Sequence, residues 1–367
     1  MEPQYLINHE INNIIAWQHH QVPPPVVVNI RLTKRCNLRC VFCEKSIFEE
    51  YSEELSEKKL AEIVKEAAHM RVKELNLDGS GENFTRKKTA IAIMKLAKAH
   101  NIRGFFVSNG TLLNTKDIQE IIAIGWDRVN ISLDGPDAKT HDFLRGKKGA
   151  FNKTINTLKL FQYYKHKSNK KKPNITVATV LTNKNYTKIH EILRLMHTLE
   201  VKNFRLQVLQ KRTPATSKLK LNSTQEHEFI SSLKNTERSA VKMNIHNNLA
   251  FFYEQSMMQR SFRMGEILKK EVKTLKKGLW SAYCLIPWWY IGVRENGVVE
   301  PCPGSDFRKE NSMNTSLHDI WTGDLYSNVR DKIMEKKFFS FCDTCCGSQI
   351  FDIQQLKQEL MKQSKDA

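Results

Sequence analysis

The stretch Cys36-Asn37-Leu38-Arg39-Cys40-Val41-Phe42-Cys43 puts three thiols on one short loop. Cysteine thiolates are the usual ligands of iron–sulfur clusters, and three of them suit three irons of a 4Fe-4S cube. The fourth iron is then open to a ligand that is not protein. A zinc site or plain buried cysteines are the competing readings. Structural zinc usually takes four ligands in two pairs, and this window has only three cysteines, so the cluster reading is favoured.

The other five cysteines come late, as Cys284-x17-Cys302-x39-Cys342-x2-Cys345-Cys346. Asn296-Gly297 between two β-rich runs is a hairpin signal, and it places Cys284 and Cys302 on the two arms of one hairpin. Distant thiols can converge in this way. Trp288, Trp289 and Tyr290 on the first arm read as strand packing, with stacking on a substrate as the lesser alternative.

These residues need elements to position them. The run Val26 to Thr33 is β-rich and leads straight into the first cysteines, and Ser56 reads as the N-cap of a helix carrying Leu60, Ile63, Val64, Ala67 and Ala68 on one face. Strand-like and helical stretches then alternate. The strands are Glu74–Ser80, Gly104–Ser108, Val129–Asp134, Ile175–Thr182 and Asn203–Gln210; the helices lie near 86–100, 115–124, 151–164 and 187–199. Such alternation predicts parallel β/α units, closed as a barrel or laid out as an open sheet. In barrels of this kind, function gathers at the C-terminal ends of the strands.

A C-x3-C-x2-C loop after the first strand of a β/α series resembles the radical S-adenosylmethionine (SAM) superfamily. The resemblance implies a partial (β/α)6 TIM-like barrel, with the open iron binding the amino and carboxylate groups of SAM. An electron from the cluster would cleave SAM to methionine and a 5′-deoxyadenosyl radical, which removes a hydrogen atom from substrate. Asp78-Gly79-Ser80-Gly81-Glu82-Asn83 is similar to the family's glycine-rich SAM motif, with Ser80 for a glycine and Asn83 for the usual proline. Val107–Leu113 and Ile131–Pro136 resemble the segments after strands three and four, which implies that Ser108 or Asn109, with Ser132 and Asp134, face SAM. In His141-Asp142-Phe143-Leu144-Arg145-Gly146, Arg145 is similar to the arginine that pairs with the SAM carboxylate, and Phe42 matches an adenine-flanking position.

The later cysteines, with Leu317-His318-Asp319-Ile320-Trp321 ahead of a helix into Cys342, resemble the SPASM/twitch extension of this superfamily. Five cysteines suit the shorter twitch form with one auxiliary 4Fe-4S cluster, which implies Cys284, Cys302, Cys342 and Cys345 as its ligands. The same four could hold a structural zinc. Cys346 is left as a spare thiol, an alternative to Cys345, or a hydrogen-atom donor of the kind found in radical epimerases.

The implied architecture is an N-terminal helix at 1–25, the core barrel at 26–215, a helical connector at 216–280, the auxiliary-cluster domain at 281–350 and a C-terminal helix or tail at 351–367. The implied reaction is the oxidation (dehydrogenation or bond formation) of a small molecule or a ribosomal peptide, or epimerisation of a peptide or sugar. A flavodoxin- or ferredoxin-type reductant is the implied electron source, and a separate protein could present a peptide substrate. Only 35 residues precede Cys36, which argues against a leader-binding module there, and the last residues lack the Gly-Gly-Arg tail of the molybdenum-cofactor GTP cyclase.

Composition is compatible with this reading. The 367 residues carry a net charge of +19, with a hydrophobic fraction of 40%, so the chain is neither disordered nor collagenous by composition. Only 17 of its 58 basic residues are Arg, the type favoured for nucleic-acid recognition. A zinc-containing nucleic-acid-binding protein is therefore the alternative from another class, and solvated surface lysine is the simpler account of the charge. No apolar run reaches the ~20 residues of a membrane helix and no secretory signal is evident, so a cytoplasmic location is expected. In that compartment cysteines serve as metal ligands more often than as disulfides.

Overall fold

The structure is a computed structural model that describes residues 21–43, 53–209, 214–250, 284–303 and 314–337, with residues 9, 12, 13, 16, 17, 252, 339 and 342. Its six leading strands are β1 (Val27–Ile30), β2 (Glu74–Leu77), β3 (Arg103–Ser108), β4 (Arg128–Ser132), β5 (Asn174–Leu181) and β6 (Asn203–Val208). Between them run the helices α1 (Glu57–His69), α2 (Lys87–Ala99), α3 (Thr115–Ile124), α4 (Ala138–Arg145), α5 (Ala150–Lys167) and α6 (Ile189–Thr198), and α7 (Ser223–Lys242) follows β6. All six strands pair in parallel with their chain neighbours.

Burial along the strands follows the period-two pattern of a pleated sheet. Leu75, Leu77, Phe106, Val129 and Ile131 are buried in one core with Ile63, Ile93, Ile121 and Leu158 of the helices. The opposite face carries Asn76, Phe105, Asn130 and Ser132, which are only half-buried. At the N-terminal ends of the strands this polar face is closed by Glu74, which accepts from Arg128 Nη2 at 2.5 Å. Every residue assigned above to SAM or to the first cluster lies toward their C-terminal ends, on the loops there, on the last residues of β3 and β4, or at the end of α4. Ser56 caps α1 by accepting from Lys59 N at 3.2 Å, as its sequence position predicts.

The hairpin of the later cysteines extends this sheet. Strand β7 (Tyr290–Val293) pairs in parallel with β1, and β8 (Val299–Glu300) pairs antiparallel with β7, giving the order β6-β5-β4-β3-β2-β1-β7-β8. Gly297, at φ +85°, supplies the left-handed residue the turn needs. The pairing satisfies the backbone edge that β1 would otherwise expose. It also puts the arms bearing Cys284 and Cys302 beside the strand that leads into the Cys36 loop. At the other edge, His246 bridges in parallel to Asn203, and the Asn248 amide donates to Leu206 O and accepts from Leu206 N.

Helices α8 (Leu317–Thr322) and α9 (Asp324–Met334) pack behind the hairpin. Leu317 N donates to Glu66 Oε2 at 2.7 Å, and Arg330 lies 4.1 Å from the Trp17 ring and 4.4 Å from that of Trp321. The lysine run after residue 164 is less loop-like than its composition suggests: Lys165–Lys167 close α5, and Lys172 Nζ reaches Asp127 at 2.5 Å. Most of residues 1–20, all of 351–367, and Cys345 and Cys346 lie outside the described residues.

Candidate active site

The first cysteine loop is clamped to the end of α4. Arg39 N donates to Arg145 O at 3.3 Å and Val41 N to Leu144 O at 3.0 Å, while Lys147 Nζ donates to Asn37 O at 3.0 Å. Gly146 allows this approach: it has φ +64°, and a Cβ there would stand 1.9 Å from Arg39 O. Cys36 and Cys40 are half-buried and Cys43 is exposed. Leu38 N points at Cys36 Sγ (3.5 Å), and Arg145 Nη1 points at Cys40 Sγ (3.7 Å). Burial pushes the Cys40 thiol up and the Arg145 charge opposes it. Among the described residues no three Cys, His, Asp or Glu side chains meet at a point that could hold a single ion.

The glycine loop after β2 packs under that clamp. A Cβ on Gly81 would lie 2.4 Å from Arg35 O and 2.5 Å from Thr33 O, and Glu82 N donates to Arg35 O at 2.9 Å. Gly79 takes φ +147°, where a Cβ would strike the Arg31 side chain. Ser80 between them is half-buried. Glu82 is almost wholly buried and accepts from Ser108 Oγ (2.8 Å), Asn109 N (2.7 Å) and Phe84 N (3.3 Å). Burial pushes this carboxyl upward, and the three donors work against that. Glu82 therefore ties the β2 loop to the end of β3. Asn83, where relatives carry proline, donates to Leu77 O (2.8 Å) and Val107 O (3.1 Å) and bridges the ends of the same two strands.

Asn109 Nδ2 donates to Asn37 Oδ1 at 3.0 Å, and Asn37 Nδ2 donates to Thr111 Oγ1 at 2.7 Å, so the cysteine loop is also tied to the β3 loop. Ser132, half-buried at the end of β4, stays out of these networks. Asp134 does not: its Oδ2 is 2.5 Å from Arg145 Nε, and its Oδ1 accepts from Val180 N at 2.8 Å. Arg145 in turn lies 5.2 Å from the Phe42 ring. Burial works against the guanidinium charge, but Asp134 and the Cys40 thiol outweigh it and raise the Arg145 pKa. The two residues with separate SAM assignments are thus each other's partners.

Two residues here escaped sequence reasoning. His141 Nδ1 accepts from Asp134 N at 3.1 Å, and Asn185 Nδ2 donates to Asp134 O and Val180 O, each at 2.9 Å. The spacing of His141 and Arg145, four residues apart on one helix, was the available signal for the first. Asn185 carried none.

At the second cysteine group, Cys284 and Cys302 pack against a small cluster of Val26, Val27, Ile286, Trp289 and Tyr290. Cys284 and Cys342 also pack on the main core. The two hairpin arms thus bring Cys284 and Cys302 to one small cluster beside Val26 and Val27, at the start of β1.

The residues fit the implied groups. The first loop offers three thiols with N–H donors aimed at two of their sulfurs, and the glycine loop beside it brings its backbone close at Gly81 and leaves Gly79 exposed. Residues 30–196 match the Radical SAM superfamily, and residues 284–346 match the iron-sulfur cluster-binding domain SPASM. The sporulation killing factor maturation protein SkfB of Bacillus subtilis is 32% identical over 135 residues, which is 37% of this chain and 32% of SkfB. The chain thus matches about a third of that relative's length. The AdoMet-dependent heme synthase of Methanosarcina barkeri is 23% identical over 88% of this chain and 90% of its own. The structure of Streptococcus suis SuiB bound to S-adenosylmethionine shares the fold at a TM-score of 0.65 and 17% identity, covering 91% of this chain and 75% of SuiB. The two family matches, which imply SAM, a 4Fe-4S cluster and a further iron–sulfur cluster, together span more than half of the sequence, and the chain belongs to the radical SAM superfamily, in its SPASM-bearing branch.

Proposed function

We propose that this protein is a radical SAM oxidoreductase that modifies a ribosomally made peptide. Cys284, Cys302, Cys342 and Cys345 would hold a single auxiliary 4Fe-4S cluster, which would supply an acceptor for the electron left on the substrate. The observation that carries the reading is the clamp of the Cys36–Cys43 loop onto Arg145 and the glycine loop at the C-terminal rim of a parallel sheet. Cys36, Cys40 and Cys43 would hold the cluster that would supply the electron for reductive cleavage of SAM. The chain's own part is to bind and orient. Asp134 faces Nε of Arg145, so the outer nitrogens of the guanidinium are turned toward the cysteine loop, where a carboxylate would meet them. Glu82, Ser108 and Asn109 shape the rim through their bonds to one another, and Ser80 and Ser132, both half-buried, would offer hydroxyls to the ligand.

The peptide substrate is supported by SkfB, a maturation protein, and by SuiB, which is also known bound to the precursor peptide SuiA. The near-full-length match to the heme synthase supports a second reading, in which the substrate is a small molecule. Epimerisation with Cys346 as hydrogen donor is a variant of the first. A flavodoxin- or ferredoxin-type protein would supply electrons. The test is anaerobic reconstitution with iron and sulfide, followed by reductant and SAM. The expected result is brown protein that releases 5′-deoxyadenosine, with release abolished in Cys36→Ala, Cys40→Ala and Cys43→Ala. Colourless, zinc-loaded protein that gives no SAM cleavage after reconstitution would overturn the proposal.

A further inference from the structure

Two hydrogen-bond donors lie buried beside the second cysteine group with nothing to bond. Trp289 is 8% exposed and Tyr290 is 5% exposed, and their rings meet edge-on at 6.0 Å. Trp289 Nε1 and Tyr290 Oη have no hydrogen-bond partner among the described residues. Both rings belong to the small apolar cluster on which Cys284 and Cys302 pack. A buried unpartnered donor costs about 1–3 kcal/mol, so two of them side by side point to an acceptor. The neighbouring Tyr326 is fully buried too, and its hydroxyl donates to Tyr290 O at 3.0 Å and lies 3.3 Å from Glu300 O. The backbone around Tyr290 Oη also makes room for it. A Cβ at Gly292 would come within 2.9 Å of that oxygen.

We propose that Tyr290 Oη and Trp289 Nε1 donate hydrogen bonds to sulfurs of the auxiliary cluster held by Cys284 and Cys302, and so raise its reduction potential. Donors to cluster sulfurs stabilise the reduced, more negative form. They make the cluster a better acceptor for an electron arriving from substrate. The inference rests on the reading that Cys284 and Cys302 are ligands of this cluster, and it assigns to the hairpin a tuning role distinct from ligation.

The experiment uses the full chain with Cys36, Cys40 and Cys43 all changed to Ala, so that only the auxiliary cluster remains, titrated potentiometrically and read by electron paramagnetic resonance. Tyr290→Phe keeps the ring and removes only the donor. At a fixed potential it is expected to lower the ratio of reduced to oxidised cluster about tenfold, a downward shift of ~59 mV for one electron. Trp289→Phe should move the midpoint the same way, and it tests the proposal independently should Tyr290→Phe disturb folding. Tyr326→Phe, which removes an equally buried hydroxyl bonded to backbone, should destabilise the protein and leave the midpoint in place. Unchanged midpoints in both Tyr290→Phe and Trp289→Phe, with the signal intact, would overturn the donor role and spare the ligand reading. Persistence of the signal in Cys302→Ala would instead overturn the ligand reading on which the proposal stands.

Discussion

Arg145 Nε and Asp134 Oδ2 lie 2.5 Å apart with both side chains nearly out of solvent, and the same guanidinium faces Cys40 Sγ and the Phe42 ring. A buried pair of this kind is costly to break from one side, because the remaining charge is left without compensation. Asp134→Asn should therefore lose about 3–5 kcal/mol of stability and weaken the cysteine loop's hold on iron. Urea unfolding and iron content measure the two effects. A variant as stable as the parent would show that the pair does not hold the loop.

The iron-binding roles proposed for the two cysteine groups should separate by mutation. The parent should bind about eight irons in two 4Fe-4S clusters. Replacing Cys36, Cys40 and Cys43 by Ala should remove about half of that iron and all SAM cleavage. Cys342→Ala should remove the other half and leave reductant-dependent release of 5′-deoxyadenosine. Loss of SAM cleavage in Cys342→Ala, with the first cluster intact by spectroscopy, would mean that the auxiliary site is needed for cleavage itself.

Gly81 faces the carbonyls of Thr33 and Arg35, just ahead of the cysteine loop, so Gly81→Ala drives a Cβ to 2.4 Å from Arg35 O, against backbone that cannot swing aside. The loop must lift off the glycine motif. Iron at the first site should fall severalfold while the far-ultraviolet circular dichroism is kept, since the sheet and helices do not depend on this contact. Iron at the parent's level would show that the contact yields without cost.

Asn83 tests how a departure from the family's proline is accommodated. Its amide bridges Leu77 O and Val107 O at the ends of β2 and β3. Asn83→Ala leaves both carbonyls short of a donor and should cost about 1–3 kcal/mol, measured by urea unfolding. An effect within error would mean that water replaces the amide.

The order of the β/α units, the cysteine loop and the glycine motif were legible in sequence because each has a local signature: a period, a spacing, a small residue where backbones approach. What was not legible is relational. The pairing of β7 with β1 joins segments some 260 residues apart, and no local pattern records it. The short helix α4 shows in the sequence only as a motif, and nothing local records the clamp of its C-terminal end on the cysteine loop. Ser108, Asn109 and Asp134 were expected to face SAM, and their polar atoms are bonded to Glu82, Asn37 and Arg145. Residue type at a strand end announces a polar rim; it does not say which members bond one another. Asn37, whose amide ties the cysteine loop to the β3 loop, and Asn185, whose amide ties the loop after β5 to the one after β4, look like ordinary loop asparagines in the sequence.

His141 gives this rim a pH dependence of definite sign. Burial, with the Arg145 charge beside it, holds the imidazole down to about 3 from 6.5, so it stays neutral and Nδ1 accepts from Asp134 N. The unfolded chain binds the proton near pH 6.5 and the folded chain does not. The stability tied to this residue is therefore full above pH 6.5 and is lost as pH falls toward 3, by at most about 1.4 kcal/mol for each unit. His141→Gln keeps an acceptor for Asp134 N but cannot take up a proton. Urea unfolding between pH 7.5 and 5 should show the parent losing stability faster than the variant as the pH drops. Parallel curves would mean that the imidazole is protonated in the folded protein, and Asp134 N would then need another acceptor.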